Sequence, residues 1–183
     1  MAGELTNLAR EPVRIAAIAV AIGGLAAILG AFYFQYALGM QPCPLCLDQR
    51  VAYYVSIPLA VLVALGASVG ASRKVLTAAL VVIAAAMLFN AGLGAYHAGI
   101  EWKFWAGPAD CSGPLNSLGS TGGLLTQLQN IRVVRCDEAA WRYLGLSLAG
   151  YNVLISMALA GIALWGARAG WRSYGSSSLS QYR

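Results

Sequence analysis

The chain has 183 residues, of which 59% are hydrophobic and only 10% are charged, and its mean hydropathy is +0.66. Soluble globular domains carry about 25% charged residues, so this composition excludes an ordinary soluble protein and predicts an integral membrane protein. The net charge of +5 lies mostly on one side of the predicted spans. It predicts contact with the anionic lipids of a bilayer and no nucleic-acid partner.

Four segments contain no Asp, Glu, Lys, Arg or His, and each exceeds the roughly 20 residues that a helix needs to cross a membrane. They are residues 15–38, 51–72, 75–96 and 143–167. The predicted fold is an all-α membrane protein, a bundle of four transmembrane helices. We expect a single domain over residues 1–172, periplasmic loops at about 39–50 and 97–142, and a polar, frayed cytoplasmic tail at 173–183.

The first segment follows Arg10 and Arg14, as the apolar part of a secretory signal follows its basic residues. Its apolar part is longer than the roughly 7–15 residues of a signal, and three more spans follow. We therefore expect an uncleaved transmembrane helix. Four crossings place both termini on the same side.

A CxxC motif, Cys43 to Cys46, precedes the second span and is followed by Arg50. If the helix begins between Pro44 and Leu47, the proline takes an early position at which its missing N–H costs nothing. Cys46 then lies in the first turn, where the helix dipole favours a thiolate. Arg50 shares its helix face and would stabilise that thiolate or polarise a carbonyl of a bound acceptor. The alternative for Arg50 is a side chain that snorkels to the lipid boundary.

Lysines and arginines near the spans predict the orientation. Five of them fall on one side, and four of those five are spread over the long loop. Seven fall in short flanks on the other side: Arg10, Arg14, Arg73, Lys74, Arg168, Arg172 and Arg183. The termini and the tight turn at 72–74 are therefore predicted to be cytoplasmic.

On this topology all four cysteines face outward, Cys43 and Cys46 in the first outer segment and Cys111 and Cys136 in the second. Disulfides persist in oxidising compartments such as the periplasm, so the cysteines favour the same orientation. Four cysteines have two other common uses, a zinc site and purely structural disulfides. The wide spacing of the second pair disfavours zinc. A bond from Cys111 to Cys136 would add order, on the order of 3 kcal/mol, whereas a bond within CxxC constrains little.

The long outer segment begins at His97 and continues into Trp102, Phe104 and Trp105, which we interpret as an aromatic belt at headgroup depth. Farther along, apolar residues recur at helical spacing within residues 118–131, which predicts a short helix lying on the membrane surface. His97 is the only histidine. It would either donate to an acceptor's oxygen or relay protons, or be a boundary histidine with a backbone partner.

These features resemble the DsbB family of bacterial inner-membrane disulfide bond formation proteins over roughly residues 13–167. The resemblance rests on the four spans, on CxxC-x3-Arg, on the later cysteine pair, and on the Cys136-x4-Trp141 element that leads into the last span. It implies a quinone-dependent thiol oxidase of the cytoplasmic membrane, with ubiquinone or menaquinone as electron acceptor. The implied partner is a periplasmic, thioredoxin-fold oxidase of the DsbA type.

The resemblance also implies a role for each site residue. Cys111 would be attacked by the reduced partner, and Cys136 would exchange with the first pair through Cys43. Cys46 would meet the quinone, with Arg50 beside it. His97 lies near a family histidine that is linked to the quinone pocket.

Two other readings remain open at this stage. The vitamin K epoxide reductase family also combines a helical bundle with CxxC and quinone chemistry, but its loop cysteines precede the CxxC motif. A transporter or membrane scaffold with structural disulfides is the alternative that is not an enzyme. No nucleotide-binding or haem motif is present in the sequence.

Overall fold

The computed structural model describes residues 2–108 and 135–180, with side chains described over 10–108 and 135–171. Four long helices make up most of this part of the chain: α1 (Ala2–Phe32), α2 (Pro44–Ser68), α3 (Arg73–Glu101) and α4 (Leu148–Ser180). Each contains a stretch that is long and apolar enough to cross a membrane. The predicted all-α architecture with four spans is confirmed, and the protein is a multi-pass membrane protein.

The helices alternate in direction along the bundle. At one end, Arg10 near the start of α1 donates to the carbonyl of Gly70, just after α2, at 3.0 Å. At the other end, Cys43 at the start of α2 lies beside His97 near the end of α3. The tight connection between α2 and α3 needs Gly70, whose φ of +83° is a conformation that glycine adopts without strain.

The bundle core is built from small and apolar side chains. α3 packs most extensively against α4, and α1 packs against α2 and α4. Gly166 lies where α4 meets α1: a Cβ there would overlap the Cβ of Ala16 and lie 3.1 Å from Leu80. Membrane helices commonly approach each other through small residues, because close backbone packing replaces the hydrophobic driving force.

Large apolar side chains cover the outside of the bundle. Phe89, for example, is 74% exposed and Leu62 is 64% exposed. An exposed apolar surface of this kind belongs in lipid rather than in water. Beyond α3, the three residues of the predicted aromatic belt, Trp102, Phe104 and Trp105, are exposed, and the Phe104 ring contacts both tryptophans.

The helices extend beyond the predicted uncharged spans at several of their ends. α2 begins at Pro44, so the CxxC motif lies in its first turn, as predicted. α3 continues past residue 96 and includes His97 and Glu101. α1 passes into a π-helical turn, Tyr33–Ala37, at its outer end. Such turns often occur at functional sites.

The predicted fourth span begins at residue 143, whereas α4 begins at Leu148. The intervening residues form a two-residue hairpin that pairs β1 (Arg142–Tyr143) with β2 (Leu146–Ser147). Leu144 and Gly145 both have positive φ, 49° and 83°, as tight hairpin turns require. At its other end α4 continues to Ser180, through most of the tail predicted to be frayed. The predicted surface helix at 118–131 lies outside the described residues.

Candidate active site

The first turn of α2 holds the CxxC pair. Cys43 is the N-cap, with an extended backbone, and Pro44 takes the first helical position. The backbone N–H of Cys46 donates to the Cys43 sulfur at 3.3 Å. Both residues carry free thiols, and their sulfur atoms lie 2.8 Å apart. The pair is therefore positioned to form and break a disulfide with little movement.

The neighbouring Cys46 thiol is the main group that stabilises a thiolate at Cys43. Its hydrogen bond with the Cys46 thiol is the main cause that lowers the pKa of Cys43 from 9.0 to about 5. His97 and the Cys46 N–H act in the same direction, while burial opposes them. The sequence predicts the stabilised thiolate at Cys46. The structure differs because the Cys43 sulfur, at the cap, interacts chiefly with the Cys46 thiol and also accepts from the Cys46 N–H.

His97 reaches this thiol pair from α3. It is only 3% exposed, and its Nε2 atom lies 3.7 Å from the Cys43 Sγ atom. Its Nδ1 atom lies 2.9 Å from Nε2 of Gln49. Glu101, one turn farther along α3, places Oε1 3.9 Å from His97 Nε2. The described partners of the imidazole are thus side chains of the thiol site, which argues against a boundary histidine held by the backbone.

Cys136 completes a cluster of three sulfur and nitrogen atoms. It is disulfide-bonded and 1% exposed. Its Sγ, the Cys43 Sγ and a ring nitrogen of His97 all lie within 4.8 Å of one another. The structure therefore brings together a free thiol, a disulfide sulfur and an imidazole. Cys111 lies outside the described residues.

A charged contact holds the segment that carries Cys136. Lys103, just after α3, donates to Asp137 Oδ2 at 2.9 Å, and Arg135 donates to the same carboxylate at 3.1 Å. Lys103 is the main cause that lowers the pKa of Asp137. Because Asp137 follows Cys136 directly, this contact fixes the disulfide beside the end of α3.

The same three residues, Cys43, His97 and Cys136, have the chemical types of a zinc site. A thiolate, however, is the sulfur form that binds metals, and the Cys136 sulfur is engaged in a disulfide. The arrangement instead suits thiol–disulfide exchange, in which a thiolate must approach a disulfide sulfur.

Arg50 extends inward from α2 instead of snorkelling outward. Its Nη1 donates to Gln35 Oε1 at 2.7 Å, and its guanidinium carbon lies 5.5 Å from the centre of the Phe32 ring. Gln35 belongs to the π-helical turn, which turns its side chain toward α2. Arg50 is thereby held as a fixed cation one helical turn beyond Cys46.

A cavity of about 760 Å³ opens beside these groups. Its volume lies in the range of small-molecule sites, and its walls are mostly apolar. Phe34 and Trp141, whose rings are 5.2 Å apart, form part of one wall. The polar and sulfur groups that line it include Gln35, Cys46, Arg50, His97 and Glu101.

Several of these side chains were not identified from the sequence. Glu101 was assigned to the loop, because the uncharged run ends at Tyr96; its spacing of four residues from His97 was the available signal. Nothing in the sequence around Gln49, which directly precedes Arg50, indicates that its side chain belongs to the site. Among the described residues Glu101 Oε2 is buried without a hydrogen-bond partner. A buried, unpaired carboxyl oxygen beside a cavity is a common feature of functional sites.

Comparisons with known proteins agree with this description. The family model described as "Disulfide bond formation protein DsbB" matches residues 13–166. "Disulfide bond formation protein B" of Xanthomonas campestris pv. campestris (strain 8004) is 32% identical over 151 residues, which cover 81% of this chain and 85% of the relative. The protein of the same name from Xanthomonas oryzae pv. oryzae (strain MAFF 311018) is 32% identical over 80% of this chain and 84% of its own. The Xylella fastidiosa (strain Temecula1) protein is 26% identical over 73% of this chain and 78% of its own. No solved structure gives a significant match.

Proposed function

Because the chain belongs to the DsbB family of disulfide bond formation proteins, we propose that it is a membrane thiol:quinone oxidoreductase. In this role it reoxidises a periplasmic dithiol oxidase of the DsbA type and passes the electrons through two cysteine pairs to membrane quinone. We further propose that it lies in the bacterial cytoplasmic membrane, with its termini in the cytoplasm and its cysteines in the periplasm. The family assignment itself establishes an oxidoreductase of disulfide bond formation.

One observation carries the proposal: the Cys43 and Cys136 sulfurs and a ring nitrogen of His97 lie within 4.8 Å of one another. A scaffold with structural disulfides would have no need for a free dithiol beside a disulfide. Exchange between two cysteine pairs requires that arrangement, because a thiolate must reach a disulfide sulfur.

The exchange transfers one electron pair from the dithiol of the partner to the Cys43–Cys46 disulfide. A thiolate of the reduced partner attacks Cys111 of a Cys111–Cys136 disulfide, which forms a mixed disulfide and releases the Cys136 thiolate. Cys136 then attacks Cys43 of a Cys43–Cys46 disulfide and releases the Cys46 thiolate. The second thiol of the partner resolves the mixed disulfide. When Cys111 re-forms its bond with Cys136, Cys43 and Cys46 are left as free thiols.

The structure corresponds to the stage that follows. Cys136 is in a disulfide, and Cys43 and Cys46 are free thiols. With Cys43 as the thiolate and Cys46 as the thiol, the pair gives up two electrons and one proton as its disulfide closes, and the acceptor takes its second proton from solvent. At this stage the lowered pKa of Cys43 keeps its sulfur in the nucleophilic form that closes the bond with Cys46.

The cavity residues fit a quinone as the acceptor. A quinone bound there supplies a two-electron, two-proton oxidant. The apolar walls suit its ring, and Cys46 is among the residues that line the cavity. Arg50, paired with Gln35, offers a cation and N–H donors to a quinone carbonyl oxygen. Ubiquinone and menaquinone both meet this description.

The decisive experiment is quinone reduction by the purified protein supplied with a reduced DsbA-type partner. We expect Cys46→Ser to abolish the reaction and Leu47→Ala, an exposed neighbour in the same turn, to preserve it. Full activity of Cys46→Ser would overturn the mechanism.

Orientation is tested separately. A thiol reagent that cannot cross the cytoplasmic membrane should label the cysteines from the periplasmic side, while the cytoplasm stays closed. Labelling that occurs only after the cytoplasmic side is opened would overturn the proposed topology.

A further inference from the structure

A chain of buried amide groups connects the thiol site to the middle of the bundle. From its geometry we infer that Gln49 is a positioning residue: it holds neutral His97 in the tautomer that carries its proton on Nε2. The imidazole then acts toward Cys43 as a hydrogen-bond donor and not as a base. The tautomer of His97 follows from the geometry alone, and only its effect on Cys43 during exchange rests on the proposed function.

The orientation of the Gln49 amide is set by a backbone carbonyl. Its Nε2 atom lies 3.1 Å from the carbonyl oxygen of Leu45. A carbonyl oxygen only accepts hydrogen bonds, so the atom facing it has to be the amide nitrogen. The reverse orientation would set two acceptors against each other in a buried site.

The oxygen of the same amide is also committed. The Nδ2 atom of Asn152 donates to Gln49 Oε1 at 2.6 Å. The Oδ1 atom of Asn152 in turn accepts from the Tyr53 hydroxyl at 2.7 Å. Turning Gln49 over would therefore break bonds on both sides of its amide group.

The second hydrogen of the Gln49 amide points at His97. Gln49 Nε2 lies 2.9 Å from His97 Nδ1, and this N–H can only donate. Nδ1 must therefore accept with its lone pair. In a neutral imidazole the proton then resides on Nε2.

Burial makes this preference strong. Gln49 is 6% exposed and His97 is 3% exposed, so no bulk water competes for these bonds. Ser156 and Asn90, both fully buried, extend the network through a 2.9 Å hydrogen bond. Within a membrane protein an unmade bond of this kind has no solvent to replace it.

The consequence falls on Cys43. The Nε2–H group lies 3.7 Å from the Cys43 sulfur, within reach of a hydrogen bond to a large, polarisable thiolate. Cys43 becomes a leaving thiolate when the Cys111–Cys136 bond re-forms. A fixed N–H donor stabilises that charge without a proton transfer.

The test uses the fact that His97 is the only histidine in the chain. The full-length protein is labelled with ¹⁵N-histidine, and the two ring nitrogens are assigned by their couplings to the ring protons. The spectrum is recorded at a pH at which the imidazole is neutral. We expect an unprotonated Nδ1 and a protonated Nε2. A proton on Nδ1 in the unmodified protein would overturn the inference.

Gln49→Glu provides the matching perturbation, because a carboxylate accepts where the amide donates. We expect the Nδ1 signal to shift to the protonated type in this variant. Asp48→Asn, an exposed neighbour, should leave both signals unchanged. An unshifted Nδ1 in folded Gln49→Glu would overturn the inference, and the unmodified protein decides the question alone if that variant does not fold. If the unmodified protein shows the expected tautomer but does not reduce quinone, the proposed function is wrong and the inference about Gln49 stands.

Discussion

His97 Nε2 lies 3.7 Å from Cys43 Sγ, although the two residues are 54 positions apart in the chain. The contact joins the end of α3 to the cap of α2, so two membrane helices contribute to one thiol centre. Around it lie a second thiol, a disulfide sulfur and a buried carboxyl group. Four predictions follow from this centre and from the packing that supports it.

The first prediction concerns the pH dependence of Cys43. Its pKa is lowered to about 5, so the thiolate is present above that pH and is lost as the pH falls through it. We expect alkylation by a small apolar maleimide to reach half its maximal rate near pH 5. Peptide mass spectrometry separates the reaction at Cys43 from that at Cys46.

Cys46→Ala is the matched variant for this measurement. It removes the hydrogen bond that contributes most to the shift, so the midpoint at Cys43 should rise toward 9.0. A midpoint close to 9.0 in the unmodified protein would contradict the assignment of the stabilised thiolate to Cys43.

The second prediction concerns Arg50. Arg50→Met removes the cation and the N–H donors from the cavity, while Cys111 and Cys136 are untouched. A hydrogen bond from a charged group contributes roughly 1.5–3 kcal/mol, so the KM for quinone should rise about 10- to 100-fold. Steady-state kinetics at varied quinone concentration measures the change.

Arg168→Met is the control, since Arg168 is exposed toward the opposite end of α4. The mixed disulfide between the partner and Cys111 should still form in Arg50→Met. Its disappearance would mean that Arg50 acts on the exchange steps and not on the acceptor.

The third prediction concerns the contact between Lys103 and Asp137. Asp137→Asn should loosen the segment that carries Cys136 and slow its attack on Cys43. The contact is exposed, so we expect a modest loss, on the order of two- to fivefold, that becomes smaller as salt is added. Rapid acid quenching, followed by separation of the disulfide-linked species, measures this step.

Because Lys103 lowers the pKa of Asp137, the carboxylate stays charged at neutral pH and well into the acid range. The effect of Asp137→Asn should therefore be the same at every pH at which the exchange is assayed near neutrality. Glu138→Gln, which alters a longer and exposed ion pair, is the control. An equal loss in that variant would indicate a general effect of loop charge.

The fourth prediction concerns the packing of α4 on α1. Gly166→Ala places a methyl group against Ala16 and Leu80, and such overpacking costs about 1–3 kcal/mol of the free energy of unfolding. Gly161→Ala is the matched control, because nothing lies within 4 Å of a Cβ at that position. Thermal unfolding in detergent should separate the two variants. Equal stability would contradict the close contact of α4 with α1.

The sequence was sufficient for the spans and for the position of the CxxC motif in the first turn of α2. Uncharged runs locate helices in a membrane because a charge within the hydrocarbon layer is costly, and Pro44 marks the helix start through its missing N–H. The same rule misplaced two boundaries. His97 ended the predicted third span, although α3 continues through it to Glu101, since buried polar groups near the membrane edge can be held by their neighbours. The hairpin at Leu144 and Gly145 was hidden within an apolar run.

The hydrogen bonds between buried polar side chains of the site could not be predicted from the sequence. Gln49 and Asn152 are 103 positions apart, and only folding brings them to 2.6 Å. The sequence also placed the stabilised thiolate at Cys46, whereas the structure lowers the pKa of Cys43, chiefly through the Cys46 thiol. The dipole argument treats a whole helix end as uniform and does not show that the capping sulfur of Cys43 also accepts from the Cys46 N–H.

The continuation of α3 through Glu101 has a mechanical consequence. His97 and Glu101 share one uninterrupted backbone ladder, so their spacing does not depend on which sulfur atoms are bonded at any moment. Cys136, by contrast, lies on irregular chain that is held at the surface by exposed ion pairs such as Lys103 with Asp137. Changes in the sequence of the outer segment would therefore leave the spacing between the His97 imidazole and the Glu101 carboxyl group unchanged.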